Sequence, residues 1–402
     1  MRAASSSYIW QQPGWPALAY DAGAIHADLQ NAHRTRSFVA GRLSAIGLEE
    51  GRRLAAESWA QEAVATAAIE DERLDLDAAR SSICRRLGLE GAHRSRVPRQ
   101  VEGLLDVMED ALGSAGAALT DARLRSWQQS LFPTGFSGLN RVLVEAYRTG
   151  PEPMRIVSGP IGRERVHYEA PPSRAVAREM KRFLSRFNAR TEPDALVRAA
   201  LAHLWFETIH PFEDGNGRVG RAVIDMTLAH DVVPLGRMVR ISQQLKDNRS
   251  EYYDELQRAQ CGGLDVTRWI LWFVAQMTAA CEKAVRAVDS TLAKARFWAT
   301  NADKDLNARQ RKVVNGLLDA GPRGFEGGLN TRKYEAMTAT SRATASRELI
   351  ELAKLGLLAS TGAGRSTRYH VNLEVDAGDF GLTLNASIIQ RSRRTGPWPF
   401  DT

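Results

Sequence analysis

Cysteine is scarce. The 402 residues hold three, Cys84, Cys261 and Cys281, odd in number and far apart. That excludes a disulfide framework and a cysteine-rich zinc module, and it fits a reducing, cytoplasmic setting. Long apolar runs are missing too. The most apolar stretch, residues 269–277, is about half the ~20 residues a membrane helix needs, so no membrane partner is expected. Met1-Arg2-Ala3-Ala4-Ser5 has no apolar region behind it, and no secretory leader is expected. No internal repeat is present.

What is there is the composition of a globular chain. Apolar residues make up 44% and charged residues 25%, enough for a core without covalent staples. The length implies two or three domains. The formal net charge of +7 is unevenly placed. Residues 304–371 contain twelve Lys/Arg against six Asp/Glu, a net of +6 that leaves about +1 elsewhere. The basic character therefore belongs to one C-terminal segment. It permits a nucleic-acid partner without implying one.

Residues 1–100 read as a helical N-terminal domain. An aromatic stretch, residues 8–16, precedes helical periodicity over 28–68, with a break near Gly47 and Gly51. A further helix is expected over 75–87, stopped by Gly88. Residues 101–295 are again helix-rich, with one exception. β-Branched residues flank Gly159-Pro160-Ile161-Gly162, which predicts a β-hairpin over 154–168. Thr191-Glu192-Pro193-Asp194 is a helix start, and 195–208 follows as a mostly apolar, buried helix. The tail, residues 376–402, is expected to be extended.

Residues 303–375 form a third domain. Helices are expected over 306–319, with Val313, Val314, Leu317 and Leu318 inward, over 331–338, and over 342–355, with Leu349, Leu352 and Leu355 inward. Residues 356–360 and 366–371 then form a hairpin. Three helices and a hairpin are the winged helix-turn-helix plan. Arg342, Thr344, Ser346 and Arg347 would lie at the exposed start of the recognition helix, where DNA is met. A module used for protein contacts or dimerisation has the same pattern, so both partners stay open.

The most informative segment is Ile209-His210-Pro211-Phe212-Glu213-Asp214-Gly215-Asn216-Gly217-Arg218-Val219-Gly220-Arg221. Gly215, Gly217 and Gly220 satisfy the dinucleotide glycine pattern, but a helix precedes them where that fold needs a strand, so it is rejected. The segment instead joins two helices. Gly215-Asn216-Gly217 can present backbone N–H groups to an anion at the new helix's N-terminus. Arg218 and Arg221 lie three apart and can donate to that anion. Asp214 suits Mg2+ beside phosphate oxygens. His210 suits a general base, and Phe212 would anchor the loop inward. The sum is a polyphosphate cradle with a metal carboxylate and a base, fit for phosphoryl or nucleotidyl transfer.

At His210, Phe212, Asp214, Gly215, Asn216, Gly217, Arg218 and Arg221 the segment resembles the Fic family signature, H-x-F-x-[DE]-G-N-G-R-x-x-R. The aromatic N-terminal stretch and residues 306–369 also resemble parts of Fic proteins with an inhibitory N-terminal helix and a winged helix. The resemblance implies a mainly α fold: a Fic-type helical core with a β-hairpin flap, a helical N-terminal domain and a C-terminal winged helix. It implies transfer of AMP from ATP to a Tyr, Thr or Ser hydroxyl of a protein, with pyrophosphate released.

In that resemblance His210 takes the hydroxyl proton and Asp214 holds Mg2+. Gly215, Asn216, Gly217 and Arg218 form the anion hole, with Val219 and Gly220 in the same nucleotide-binding stretch. Arg221 reaches the γ-phosphate, and Glu207, Thr208 and Ile209 border the pocket. The hairpin resembles the flap, and Ile156, Val157, Val166, His167 and Tyr168 would dock a target by strand addition. Tyr253 either stacks on adenine or is a core aromatic, and Gln260 on the same face could bond the adenine edge.

Thr66 and Glu70 resemble the family's inhibitory motif, [ST]-x-x-x-E-[GN], with Asp71 departing from it. Glu70 would pair with Arg221 where the γ-phosphate binds. A plain helix turn is the alternative, and Asp71 implies a leaky or differently hinged brake. The expected function is a self-inhibited protein adenylyltransferase using ATP and Mg2+, with itself among its substrates. A DNA-binding regulator with a nucleotide-sensing pocket, phosphotransfer, transfer of another nucleotide and AMP removal stay open, as does a homodimer.

Overall fold

A computed structural model describes residues 8–89, 97–158, 163, 165–230, 238–320 and 325–372. The chain divides into two compact units, residues 1–291 and 292–402, each taken by itself below.

The first unit is built from helices with identifiable starts. Helix α1 spans Ala22–Leu43, capped by Asp21, whose carboxylate accepts from the N–H groups of Gly23 and Ala24. It begins six residues before the periodicity does, because a cap needs no apolar pattern. Helix α2 spans Leu48–Ile69. The break expected near Gly47 and Gly51 falls at residues 44–47, and Gly51 lies inside α2. Glu49 and Glu50 in the first turn face the positive end of the helix dipole and favour that start. Helix α3, Leu76–Arg86, begins at an Asp75 cap and stops before left-handed Gly88, as its sequence implies.

Helices α4, Arg99–Gly113, and α5, Asp121–Leu131, lead to a small antiparallel pair, β1 Phe136–Ser137 with β2 Asn140–Arg141. The expected hairpin is present as β3, Arg155–Ser158, antiparallel to β4, Arg165–Glu169, with Ile156 opposite Tyr168 and Val157 opposite Val166. Its turn, Gly159-Pro160-Ile161-Gly162, lies outside the described residues. Then come α6, Ser173–Ala189; α7, Ala195–Ile209; α8, Asn216–Ala229; α9, Ile241–Asp247; α10, Arg249–Gln260; and α11, Thr267–Thr300. The boundary between the two units falls within α11.

One hydrophobic core serves this unit. It includes Ile9, Val39, Trp59 and Ile69 from the N-terminal helices together with Leu105, Phe206, Phe212, Val223 and Phe273. The sequence boundary near residue 100 therefore crosses a continuous core. Helix α7 is enclosed on nearly all sides, which explains its continuous apolar reading. Each large side chain so buried contributes roughly 1.5–3 kcal/mol.

In the second unit, α12 spans Ala308–Asp319 behind an Asn307–Gln310 capping box, α13 spans Thr331–Thr338, and α14 spans Arg342–Lys354 behind a Ser341 cap. Strands β5, Leu358–Thr361, and β6, Arg368–Val371, pair antiparallel. This is the element order expected from sequence. Val313, Val314, Leu317, Leu349 and Leu352 are fully buried. Leu355, expected inward, sits at the α14 C-cap and is half-buried. The tail, 376–402, lies outside the described residues.

Helices α4 and α5 touch at Gly103, where a Cβ would stand 1.9 Å from the Ser130 carbonyl oxygen. Backbone cannot yield as a side-chain tip can. Gly103→Ala should therefore destabilise the chain by about 1–3 kcal/mol in denaturant unfolding. Gly113→Ala, with open space at the end of the same helix, should be neutral or stabilising.

Candidate active site

The loop from α7 to α8 owes its shape to a few bonds. His210 caps α7 in the left-handed region (φ 49°, ψ 63°), its N–H donating to Phe206 O at 3.0 Å. Phe212 is fully buried between Phe206 and Tyr147, as its anchor role requires. The Asn216 side chain holds the loop from within. Its Nδ2 donates to Phe212 O and its Oδ1 accepts from Phe212 N, both at 2.8 Å. That amide is engaged by the loop, so the backbone of Asn216, as expected, is what stays at the α8 N-terminus. Gly215 sits at φ 88°, where a side chain would be strained, and Phe132 lies 3.0 Å from its would-be Cβ.

Two arginines of the motif are buried and held from α2 and the turn after it. Arg221 is 1% exposed. Its Nε donates to Thr66 Oγ1 at 2.6 Å, and its Nη2 donates to Thr66 O and lies 2.9 Å from Glu70 Oε1. A Cβ on Gly217 would stand 2.1 Å from Glu70 Oε1, so this carboxylate rests against the first turn of α8. Arg218 lies over the Phe132 ring, donates to Glu72 at 2.8 Å, and is 3.7 Å from Asp214.

Asp71 also takes part. It adopts φ 59° and pairs through both oxygens with Arg249, each bond 2.7 Å. The left-handed turn thus forms with Asp where the related motif has Gly or Asn, and the acid adds an ion pair there. Asp tolerates this region better than most side chains. Arg249 in turn lies over the Tyr253 ring.

Other expected site residues fall into three groups. Tyr253 is 37% exposed and donates to Ile69 O, while its neighbour Tyr252 is the buried aromatic, bonded to His203. Gln260 is buried on α10. Thr208 and Ile209 are buried, and their carbonyls accept from Tyr168 Oη and Arg148. Glu207 is buried too, its Oε2 3.7 Å from His210 Nδ1. Val219 and Gly220, expected along the nucleotide, are both buried. Val219 is core, and a Cβ on Gly220 would meet Glu207 Oε1 at 2.2 Å, so both lie behind the cradle.

On the hairpin, Ile156, Val157 and Val166 are exposed as docking requires. Tyr168 is not. It is 1% exposed and packs edge-on against Tyr8. His167 is half-buried, its Nδ1 3.2 Å from Gln257.

Three contributors were illegible in the sequence: Arg148, Glu72 and Arg249. Each reaches the site from a distant segment, and no local pattern marks it. Arg148 Nε donates to His210 O at 2.7 Å.

Burial sets the protonation states. It pushes the His210 imidazole down to about 4, helped by the Arg148 cation. It pushes His203 down to about 3, helped by Arg221. It pushes Glu207 up to about 8, against Arg221 and with Glu70. For Arg221 burial opposes the charge, but Glu70 foremost among its neighbours outweighs it and holds the guanidinium protonated. A neutral imidazole, a firmly charged guanidinium and an anion-sized place at a helix N-terminus are the parts needed for phosphate chemistry.

Residues 118–228 match the family model of the Fic/DOC family. The chain carries a Fic/DOC domain. Residues 8–89, which include α2 and the 70–72 turn, match a domain of unknown function, DUF4172. A probable protein adenylyltransferase of Aquifex aeolicus is 27% identical over 99 residues, 25% of this chain and 28% of that protein. The chain thus spans less than a third of that relative's length. A Fic family protein of Desulfovibrio desulfuricans is 21% identical, with TM-score 0.48, covering 86% of this chain and 95% of that one. A Fic domain containing signaling protein of Bacteroides thetaiotaomicron is 15% identical, with TM-score 0.47, covering 65% and 98%. No helix among the described residues is long and apolar enough to cross a membrane.

The Fic domain's buried groups give stability a pH signature. Glu207 keeps its proton when folded up to about 8 and loses it near the usual carboxylate value when unfolded. Between those values the folded state binds more protons, so stability falls as pH rises through that window. His203 and His210 act oppositely: their neutral folded forms lose stability as pH falls below ~6.5. Glu207→Gln should make the decline above pH ~6.5 shallower and the loss below it steeper. Denaturant unfolding as a function of pH checks this, and an unchanged alkaline slope contradicts it.

Proposed function

We propose that this chain is a self-inhibited protein adenylyltransferase. It moves AMP from ATP to a Tyr, Thr or Ser hydroxyl of a protein, its own chain included, and releases pyrophosphate. One observation carries the reading: the Glu70 carboxylate on Arg221, seated against Gly217 at the α8 N-terminus. It is an anion already occupying a cradle built for one.

The residues suit the nucleotide and the metal. Arg221 Nη1 is buried without a hydrogen-bond partner among the described residues, a donor left for a phosphate oxygen. Asp214 is partly exposed beside Arg218, a fitting carboxylate for Mg2+ at phosphate. Bound there, Mg2+ would supply positive charge against the phosphate oxygens. The chain's own part is otherwise clear. His210, neutral at pH 7, accepts the proton of the target hydroxyl as its oxygen bonds the α-phosphorus. The bond from that phosphorus to the bridging oxygen breaks, and pyrophosphate carries the electron pair away. Ile156, Val157 and Val166 on the exposed hairpin receive an extended target segment by strand addition.

Inhibition follows from competition. One guanidinium cannot serve a carboxylate and a phosphate in the same place. Glu70, Asp71 and Glu72 stand on Arg221, Arg249 and Arg218 in turn. The Asp71 pair is well exposed and contributes little, whereas Glu70 faces a nearly inaccessible arginine.

Glu70→Gly should raise AMP incorporation, by about 100-fold if productive ATP orientation gains ~2.8 kcal/mol. Adding Arg221→Ala should abolish that gain, and adding His210→Ala should lower the rate by about 10²–10⁴-fold. Glu72→Gln should raise it less than Glu70→Gly. Mass spectrometry of the chain after incubation with Mg-ATP reads all four. Unchanged incorporation in Glu70→Gly refutes the brake. Loss of AMP release from a modified target in that variant makes the enzyme an AMP remover.

A second reading concerns residues 292–402. Arg342, Ser346 and Arg347 are exposed along the start of α14, in the segment holding most of the net charge. On a winged-helix plan this face meets DNA. Arg342→Ala with Arg347→Ala should weaken binding to a DNA duplex and flatten its salt dependence by about two phosphate contacts. Wild-type binding that is absent at low salt dismisses this reading.

A further inference from the structure

The left-handed turn at His210 needs something to hold it. His210 at φ 49° lies in the left-handed region that few non-glycine residues adopt. Helix α7 also ends there, so its last carbonyls lack partners within the helix and form the negative end of its dipole.

One residue answers both needs. Arg148 lies between β2 and β3, 62 residues before His210, and is 4% exposed. Its Nε donates to His210 O at 2.7 Å, and its Nη2 donates to Ile209 O at 3.2 Å and to Pro171 O. Its backbone N–H donates to Pro211 O at 2.9 Å. The carbonyls of residues 209, 210 and 211 are thus all taken by a single residue. Tyr168 Oη takes the one before them, Thr208 O, at 2.7 Å.

We infer that Arg148 is the positioning residue for His210, fixing the turn from which the imidazole faces the transferred group. The inference rests on the reading of His210 as the general base. A planar fork holds several donors in fixed directions and so fixes the carbonyls it meets, whereas an ammonium on a flexible stem holds them less rigidly. Arg148 touches neither substrate nor the reacting atoms, and acts through the backbone of residues 209–211. Four charged or titratable groups bear on the imidazole: Arg148, Glu70, Glu207 and Asp214. Of these Arg148 is the cation, and it opposes protonation of His210 after burial does.

The test uses the full chain with Glu70→Gly as the active parent, and adds Arg148→Lys or Arg148→Gln. A displacement of the base by about 1 Å costs on the order of 100-fold in rate. Both variants should lose about that much kcat while the KM for Mg-ATP changes less than about threefold. Histidine NMR titration, which needs no turnover, should show the His210 midpoint moved up in Arg148→Gln and held low in Arg148→Lys. Should the Gln variant not fold, the Lys variant decides through the kcat-to-KM split. Parental kcat in either variant overturns the proposal, as does a loss of ATP affinity in step with kcat or an unmoved His210 midpoint in folded Arg148→Gln. If the Glu70→Gly parent itself transfers no AMP, the adenylyltransferase reading fails, and the titration still reports on Arg148 and His210.

Discussion

Arg221 is a guanidinium almost wholly removed from water, and the need to answer its charge organises the Fic domain. Leaving such a charge without a partner typically costs about 3–5 kcal/mol. Its Nε and Nη2 are satisfied by Thr66, and its charge is answered by Glu70, both at the end of α2. Its Nη1 is left without a hydrogen-bond partner among the described residues.

That constraint gives α2 two tasks. Trp59, Ala63 and Ile69 are buried in the core shared with α7 and α8, which ties the helix to the unit. The turn that follows it carries the acids that sit on three arginines. The rest of the site is shaped by the same economy of partners. Buried backbone oxygens at the end of α7 are answered by Tyr168 and Arg148, and the loop's own amides by Asn216. Glu207 Oε1 and His203 Nδ1 stay without partners among the described residues, close behind Gly220. Burial shifts both groups toward their neutral forms, helped at His203 and opposed at Glu207 by the Arg221 charge.

Much of this was legible from local pattern. Helix starts at Asp75, Asp194 and Ser341 follow from a capping side chain, and the hairpin from β-branched residues about a glycine turn. The motif residues are close together in sequence because a helix–loop–helix brings them close in space. Boundaries failed where a cap lay outside the apolar repeat, at Asp21, and where a glycine was absorbed into a helix, at Gly51. Side-chain orientation was less legible. The Tyr168 and Val219 side chains are buried, and Glu207 lies against Gly220.

The sequence by itself determined which backbone elements form and which chemical groups cluster within twelve residues, because those depend on short-range preferences. Only the tertiary structure decided which of those groups face the cradle, that Glu72 and Asp71 join Glu70 on three arginines, and that Arg148 holds the turn at His210. The reason is physical. Burial and ion pairing depend on distances between segments remote along the chain, and those distances exist only once helices α2, α7 and α8 share one core.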